Sequence, residues 1–306
     1  MKVNQSLNLG PGNVSTEEEL GCYYQDFTPA KFHYDHDYLG KFDENGIPYL
    51  VEKNREYYNP VYVIQYALLL HDLILLEKDG GDKVRLKACL EWLLDKAEPF
   101  EEALVLRNEL NEQYKLSKGW ISAMYQGQAI SIFLRGYQMF GEQTYLDAAD
   151  KFFRFFRFDY SEGGVMRTDD SGYIWLEEYP TDPPSYVLNG FIYSVFGVLD
   201  HYRVTKSADS RKLYEECLRT IEDNIHKYDL WYWSVYDQGK KRLVSRYYQK
   251  NVHIPLMKIL FLLTGNSIFD TLAKKWERQL NSFLSRVMCT VMYRIQPRLR
   301  QLQLKL

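Results

Sequence analysis

A recurrence of about 60 residues limits what this chain can fold into. Comparable polar-to-apolar steps fall at Gln65-Tyr66-Ala67, Gln128-Ala129-Ile130, Asn189-Gly190-Phe191 and His253-Ile254-Pro255, spaced 63, 61 and 64 residues apart. Each step lies in a segment that is apolar nearly all round: 60–77, 122–140, 184–202 and 251–264. Each such segment is followed by a more mixed or amphipathic one: 82–96, 143–158, 210–228 and 268–284. A helix that is apolar on every side must be buried, and a helix with a single apolar stripe lies outside it. A couple of this kind repeated at a fixed period builds stacked helical hairpins. The expected fold is therefore mainly α, an (α/α) toroid of about four helix pairs, with an irregular helical bundle as the alternative.

Breakers divide the rest. Residues 1–58 carry Gly10-Pro11-Gly12 and Asn45-Gly46, are closed by the breaker Asn59-Pro60, and read as an extended segment packed on the helices. Asn59 is placed to cap the first helix, with Pro60 at its first position. The toroid is expected over 59–284. Residues 163–178 and 230–248 alternate as β-hairpins do, turning at Asp170-Ser171-Gly172 and Gln238-Gly239. Both follow an outer helix and precede an inner one. That places them together at one mouth of the ring, where a site is expected. Residues 285–306 form a basic tail of uncertain structure, because no acidic residue follows Glu277 while Arg278, Arg286, Arg294, Arg298, Arg300 and Lys305 accumulate.

Composition narrows the function. The 306 residues carry 38 Lys+Arg and 41 Asp+Glu, a net charge of -3. This near balance gives no reason to expect nucleic acid, and no apolar run is long enough to suggest an integral membrane segment. Cys22, Cys89, Cys217 and Cys289 have no paired spacing, which excludes a zinc ribbon and a disulfide scaffold. With no apolar leader after Met1, the expectation is a cytoplasmic protein. No GxGxxG fingerprint calls for a nicotinamide, and no cofactor is expected. His33, His36 and Asp37 lack helical metal-ligand spacing, and no metal is expected. The unusual number is 26 Tyr beside 16 Phe and 6 Trp. A core does not need so many phenols, whereas flat rings with hydroxyl handles suit sugars.

Three segments carry the chemistry: Gly119–Ser131 (GWISAMYQGQAIS), Trp175–Phe191 (WLEEYPTDPPSYVLNGF), and Ser234-Val235-Tyr236-Asp237 followed by Ser245-Arg246-Tyr247-Tyr248 and His253-Ile254. In these elements and their order the chain resembles the C-terminal domain of D-glucuronyl C5-epimerases, which convert glucuronate to iduronate in heparan sulfate and heparosan. The resemblance is strongest over about 119–277 and weaker over 23–72. The family's β-rich N-terminal domain has no room here, so the calcium site associated with it is not carried over.

The resemblance implies an acidic polysaccharide as substrate, a homodimer as one assembly, and catalytic residues at Glu178, Tyr179, Tyr236 and Tyr248. In the family the last Tyr stands four residues before the His. Here Tyr248 stands five before His253, so Tyr247 is the alternative. An Arg that follows the YD element in animal members is replaced by Gln238-Gly239, and Lys240, Arg242 or Arg246 can supply its charge.

The reaction asks for the same residue types. A proton must leave C5, α to a carboxylate, and one must return on the opposite face, so two proton-transfer groups flank one ring. A cation or strong donor must face the sugar carboxylate to stabilise the enolate-like intermediate, and Arg167, Arg242 and Arg246 compete for that place. Glu178, or Tyr179 acting with it, is expected on one face, Tyr248 on the other, and Tyr236 as relay. Trp120, Tyr125, Gln126 and Gln128 open an inner helix and either touch sugar or simply pack. Glu177 reads as a solvated or structural neighbour, and His253 as structural. Alternatives are a uronate polysaccharide lyase, a glycoside hydrolase pairing Glu178 with Asp182 or Asp237, and a non-catalytic glycan-binding protein.

Overall fold

The structure, a computed structural model, describes residues 7–36, 41–52 and 55–303, the side chains of 36, 52 and 296–303 excepted. Asp37, Lys305 and the side chains of His36, Arg298 and Arg300, singled out above, lie outside the described residues. In chain order, β1 (Gly10–Pro11) pairs with β2 (Gln25–Asp26), a short α1 (Lys31–His36) follows, and β3 (Leu50–Glu52) pairs with β4 (Arg55–Tyr57). Four helix pairs come next: α2 (Pro60–Leu75) with α3 (Lys83–Lys96), α4 (Ala123–Phe140) with α5 (Gln143–Arg154), α6 (Leu188–Thr205) with α7 (Ala208–Asn224), and, after a single turn α8 (Arg246–Tyr248), α9 (Ile254–Thr264) with α10 (Ser267–Asn281). A last helix, α11 (Phe283–Gln303), leaves α10 at Ser282. The molecule is mainly α, and the described sheets have two strands each. None of its described helices is long and apolar enough to cross a membrane.

Local chemistry sets the helix starts. The Asn59 side chain accepts from the Val61 amide (3.1 Å) ahead of Pro60, and Asp82 accepts from the Arg85 amide (2.9 Å). Asn266 accepts from Ile268 (3.1 Å). Inner helices are buried nearly all round, while α5 buries the stripe Tyr145, Ala148, Ala149, Phe152 and Phe153 against them. One boundary differs from the sequence pattern. The helix expected from 184 begins at Leu188, because Pro183-Pro184 hold the preceding backbone extended and Tyr186 sits at φ 45°.

The central inner helices α4 and α6 cross backbone to backbone. A Cβ on Gly127 would lie 2.5 Å from Ser194 Cα, and one on Gly197 would lie 2.1 Å from the Gly127 carbonyl oxygen. Neither obstacle is a movable side-chain end. Gly197→Ala is therefore expected to lower stability by about 3 kcal/mol through overpacking, read as a lower urea midpoint. An unchanged midpoint would contradict so close a crossing.

The N-terminal segment is more than a strap. The Tyr23 amide donates to Asp72 of α2 (3.0 Å), the Arg135 guanidinium of α4 donates to the Gly21 carbonyl (3.1 Å), and the Tyr24 hydroxyl donates to Asp200 of α6 (2.7 Å). Gln25 donates to the Asn251 carbonyl (2.6 Å), just ahead of α9. The buried Arg135–Asp200 pair (2.6 Å) is completed by Arg203 (3.2 Å). These contacts gather the C-terminal halves of α2, α4 and α6 around buried Tyr23 and Tyr24, which leaves the N-terminal ends of the inner helices for the cleft.

The connections from outer to inner helices are where β-structure appears. β5 (Glu98–Phe100) and β6 (Ala103–Val105) join α3 to α4, a hairpin without the usual Gly or Asn at its turn, where Glu101 takes φ 48°. β7 (Met166–Thr168) and β8 (Ile174–Leu176) form the hairpin expected over 163–178. The second expected hairpin, over 230–248, is not a two-stranded ribbon. Its residues make single bridges to different partners, Asp229 to Ser234, Val235 to Leu243, and Asp237 to Val187. Asp237 is drawn away by Val187, and its carboxylate takes the Lys240 amide, so no continuous ladder forms. The basic tail is helical through Gln303 and packs on α10, with Cys289 buried.

Candidate active site

The N-terminal turns of α2, α4 and α6 and the α8 segment surround a cleft of about 580 Å³. Tyr62, Met124, Tyr125, Asn189, Tyr193 and Tyr248 contribute to its lining, as do Trp120, Glu178, Tyr179 and Tyr236. Among the described residues its lining contains no Lys or Arg, and its acidic members are Glu178 and Glu109. Helix N-termini carry partial positive charge, so three of them directed at one cleft favour an anionic ligand.

Glu178 follows β8 and is buried against α6. A Cβ on Gly190 would lie 2.2 Å from Glu178 Oε2, so the carboxylate occupies the space that a larger residue on α6 would fill. The Tyr236 hydroxyl donates to Glu178 Oε1 (3.1 Å), while Oε2 is buried with no well-formed hydrogen bond. Burial pushes the Glu178 carboxyl up to about 7, against the pull of Tyr179, Tyr236, the Gly190 amide and Asn189. Near neutral pH the group is thus shared between its acid and base forms. The Asn189 side-chain oxygen is likewise buried without a hydrogen bond.

Three tyrosines adjoin this carboxylate. Tyr179 stacks on Tyr114 (centroids 3.9 Å apart) and lies 5.4 Å from Trp120. Tyr236 meets Tyr248 edge to face at 5.4 Å. Burial and the Glu178 charge hold all three phenols well above their ordinary range, so they stand as neutral donors. The same three residues also wall a second cavity of about 410 Å³, which contains Arg242. The Arg242 guanidinium lies 5.1 Å from the Tyr236 ring and 4.5 Å from the Tyr114 ring, and its Nε donates to Asp237 (2.7 Å). That bond anchors the cation and commits Asp237.

A π-turn, Gln249–His253, lies between α8 and α9, where the resemblance counts one residue more before His253 than the family pattern. A π-turn is how a helix takes up one extra residue. Tyr248 consequently lines the cleft with its ring 5.4 Å from His253, while Tyr247 lines the cleft and an adjoining groove. His253 is structural. Its Nδ1 bonds Ser234 Oγ (2.9 Å), and burial lowers its pKa to about 3.

Several expected contacts lie elsewhere. Gln126 is turned away from the cleft and bonds the Leu106 backbone (3.2 and 3.3 Å) and the Ser122 carbonyl (3.2 Å). Gln128 is buried on Gln65 (3.3 Å). Both pack: Gln126 points off the far side of α4 from Met124, and Gln128, on the same side as Met124 and Tyr125, lies one turn deeper beneath the cleft. Arg167 donates to the Thr181 carbonyl (2.8 Å), stacks 3.7 Å over Tyr160 and sits 3.8 Å from Glu177, so it lines no part of the cleft. Glu177 is buried rather than solvated and accepts from Ser185 (2.8 Å). Arg246 lies in the adjoining groove, and Asp182 is outside the cleft lining. Tyr114, Asn189 and Tyr193 are site residues that the sequence reading missed, and Tyr125, read there with the residues that open an inner helix, lines the cleft.

Residues 103–278 match the family model described as the D-glucuronyl C5-epimerase C-terminus, more than half of the chain. Among curated proteins, a D-glucuronyl C5-epimerase of Caenorhabditis elegans is 31% identical over 189 residues, covering 56% of this chain and 30% of its own length. An uncharacterized protein of Methanocaldococcus jannaschii is 32% identical over 166 residues, 53% of each chain. The chain thus spans about a third and about half of these two relatives.

Proposed function

Since this chain belongs to the D-glucuronyl C5-epimerase C-terminal family, we propose that it epimerises D-glucuronyl to L-iduronyl residues at C5 within an acidic polysaccharide of the heparosan or heparan type. The observation that supports this most is the Glu178 carboxyl, buried, raised to about 7, half hydrogen-bonded, and set among neutral tyrosines in a cleft that favours anions.

In the proposed reaction ionised Glu178 takes the C5 proton from one face. The electron pair left at C5 delocalises into the sugar carboxylate, where the helix N-termini at the cleft offset the growing charge and Arg242, behind the Tyr236 ring in the adjoining cavity, adds to the field. The Tyr248 hydroxyl then gives a proton to C5 on the other face. The enzyme is left with protonated Glu178 and ionised Tyr248. Tyr236, bonded to Glu178 and packed on Tyr248, resets the pair by passing the proton across. No oxidant or reductant is needed. The reverse reaction exchanges the two roles.

Tyr248→Phe is expected to reduce C5 exchange by about 10²- to 10⁴-fold, while Tyr247→Phe stays within about fivefold. The measurement is incubation with de-acetylated, N-sulfated heparosan in deuterated water, read by NMR. Deuterium at C5 with iduronate and unchanged chain length supports epimerisation. An unsaturated, ultraviolet-absorbing chain end would mean a lyase, and full activity in Tyr248→Phe would remove Tyr248 from the mechanism.

A further inference from the structure

Beyond the reacting cleft lies a groove of about 650 Å³ between the α8 segment and α11. Arg246, Lys250, Arg286 and Arg294 line it with Tyr247 and Tyr293, and no acidic residue does. None of these four cations forms an ion pair among the described residues. In a chain of net charge -3, four unneutralised cations around one groove repel one another unless an anion is held there. The groove shares Tyr247 with the cleft, and Ser245 and Tyr293 with the Arg242 cavity. Arg286, Tyr293 and Arg294 belong to α11, past the family-matched residues 103–278.

We infer that this groove is an added anion subsite. It holds a carboxylate or sulfate on a sugar residue some way along the same polymer whose uronate occupies the cleft. The inference rests on the proposed polysaccharide substrate. A polymer with an acidic group on alternate sugars presents a second anion wherever it extends past the reaction centre. A cleft whose described lining has helix N-termini but no Lys or Arg gains less affinity from charge than one with full cations, and the adjoining groove supplies them and aligns the chain.

The test compares wild type with Arg286→Ala/Arg294→Ala, checked for unchanged circular dichroism. On long N-sulfated heparosan the double variant is expected to raise KM about tenfold with kcat within twofold, and to make KM less sensitive to salt. On an N-acetylated trisaccharide with one central uronate, which carries no second anion, KM should not change. Arg286→Lys/Arg294→Lys should restore most of the loss. A similar KM increase on unsulfated heparosan assigns the groove to carboxylates, and an increase confined to the sulfated polymer assigns it to sulfates. An unchanged KM on both polymers, or an equal rise on the trisaccharide, overturns the subsite. If wild type exchanges nothing at C5, the reaction reading fails, and the groove is judged by fluorescence anisotropy of labelled heparosan. A tenfold weaker affinity in the double variant then upholds it. Equal affinities, or no binding by wild type, overturn it.

Discussion

Glu178→Gln is expected to abolish detectable C5 exchange, a loss of at least about 10³-fold, while making the protein more stable at pH 8. The two effects have one cause. Burial raises the Glu178 carboxyl from 4.5 to about 7, so the folded state holds a proton that the unfolded state has released between those pH values. Stability therefore falls as pH rises through that window. At about 1.4 kcal/mol per pKa unit, the ionised carboxylate costs the fold about 3 kcal/mol above pH 7. A neutral amide escapes that cost and can still accept from Tyr236. The variant and wild type should therefore unfold at similar urea concentrations at pH 5 and diverge by pH 8, with the variant the more stable. Wild-type exchange should rise with pH through about 7, as the base form accumulates. A variant less stable than wild type at pH 8 would mean that Glu178 is held mainly by contacts its charge provides. Its place would then be structural rather than catalytic.

The parts of this molecule that could be read from its sequence are those with local causes. Asn59-Pro60 was readable as a helix start because its cap bond closes within two residues, Asp82 and Asn266 cap by equally local bonds, and the stripe of α5 needs only its own five residues. The helix pairs follow from these. Glu178, Tyr179, Tyr236 and Tyr248 were legible because they lie in long ordered motifs, and the structure gathers them around one cleft. Direction was harder to read. Gln126 and Gln128 lie within a few residues of Met124 and Tyr125, but rotation about the helix axis turns Gln126 away, while Gln128 keeps their side and lies one turn deeper, so neither reaches the cleft. Arg167, Arg242 and Arg246 are indistinguishable by charge. Their places are decided by Tyr160 and Glu177, by Asp237, and by the groove beside α11. Tyr114 carried no signal, since it comes from a loop without periodicity and reaches Tyr179 only in three dimensions. The π-turn was foreshadowed by the residue count before His253, but only the folded chain shows that it brings Tyr248 to the cleft.

Gly190→Ala tests whether the position of Glu178 is itself essential. In the first turn of a helix, exchanging Gly for Ala ordinarily stabilises by up to about 1 kcal/mol. Here the added Cβ would meet Glu178 Oε2 at 2.2 Å and Glu178 Cβ at 2.4 Å. The carboxylate can swing away, but the β8 end that carries Glu178 cannot do so without disturbing the Ala123 amide, which donates to the Glu177 carbonyl (3.0 Å) at the start of α4. The expected result is a loss of C5 exchange of at least about 10²-fold, since a misplacement of about 1 Å at the reacting groups is enough for that. Destabilisation should be about 2 kcal/mol. Two further measurements separate sterics from helix propensity. In a Glu178→Gly background the same Gly190→Ala change should be neutral or stabilising, giving a coupling of 2 kcal/mol or more, within the range of about 0.5–3 expected for residues in contact. At Gly239, where a Cβ would meet only the Pro184 carbonyl oxygen within 3 Å, alanine should leave C5 exchange within about tenfold. Were Gly190→Ala to retain full exchange, the carboxylate would not need the place that the absent side chain leaves for it, and Glu178 would give up its role as the C5 base.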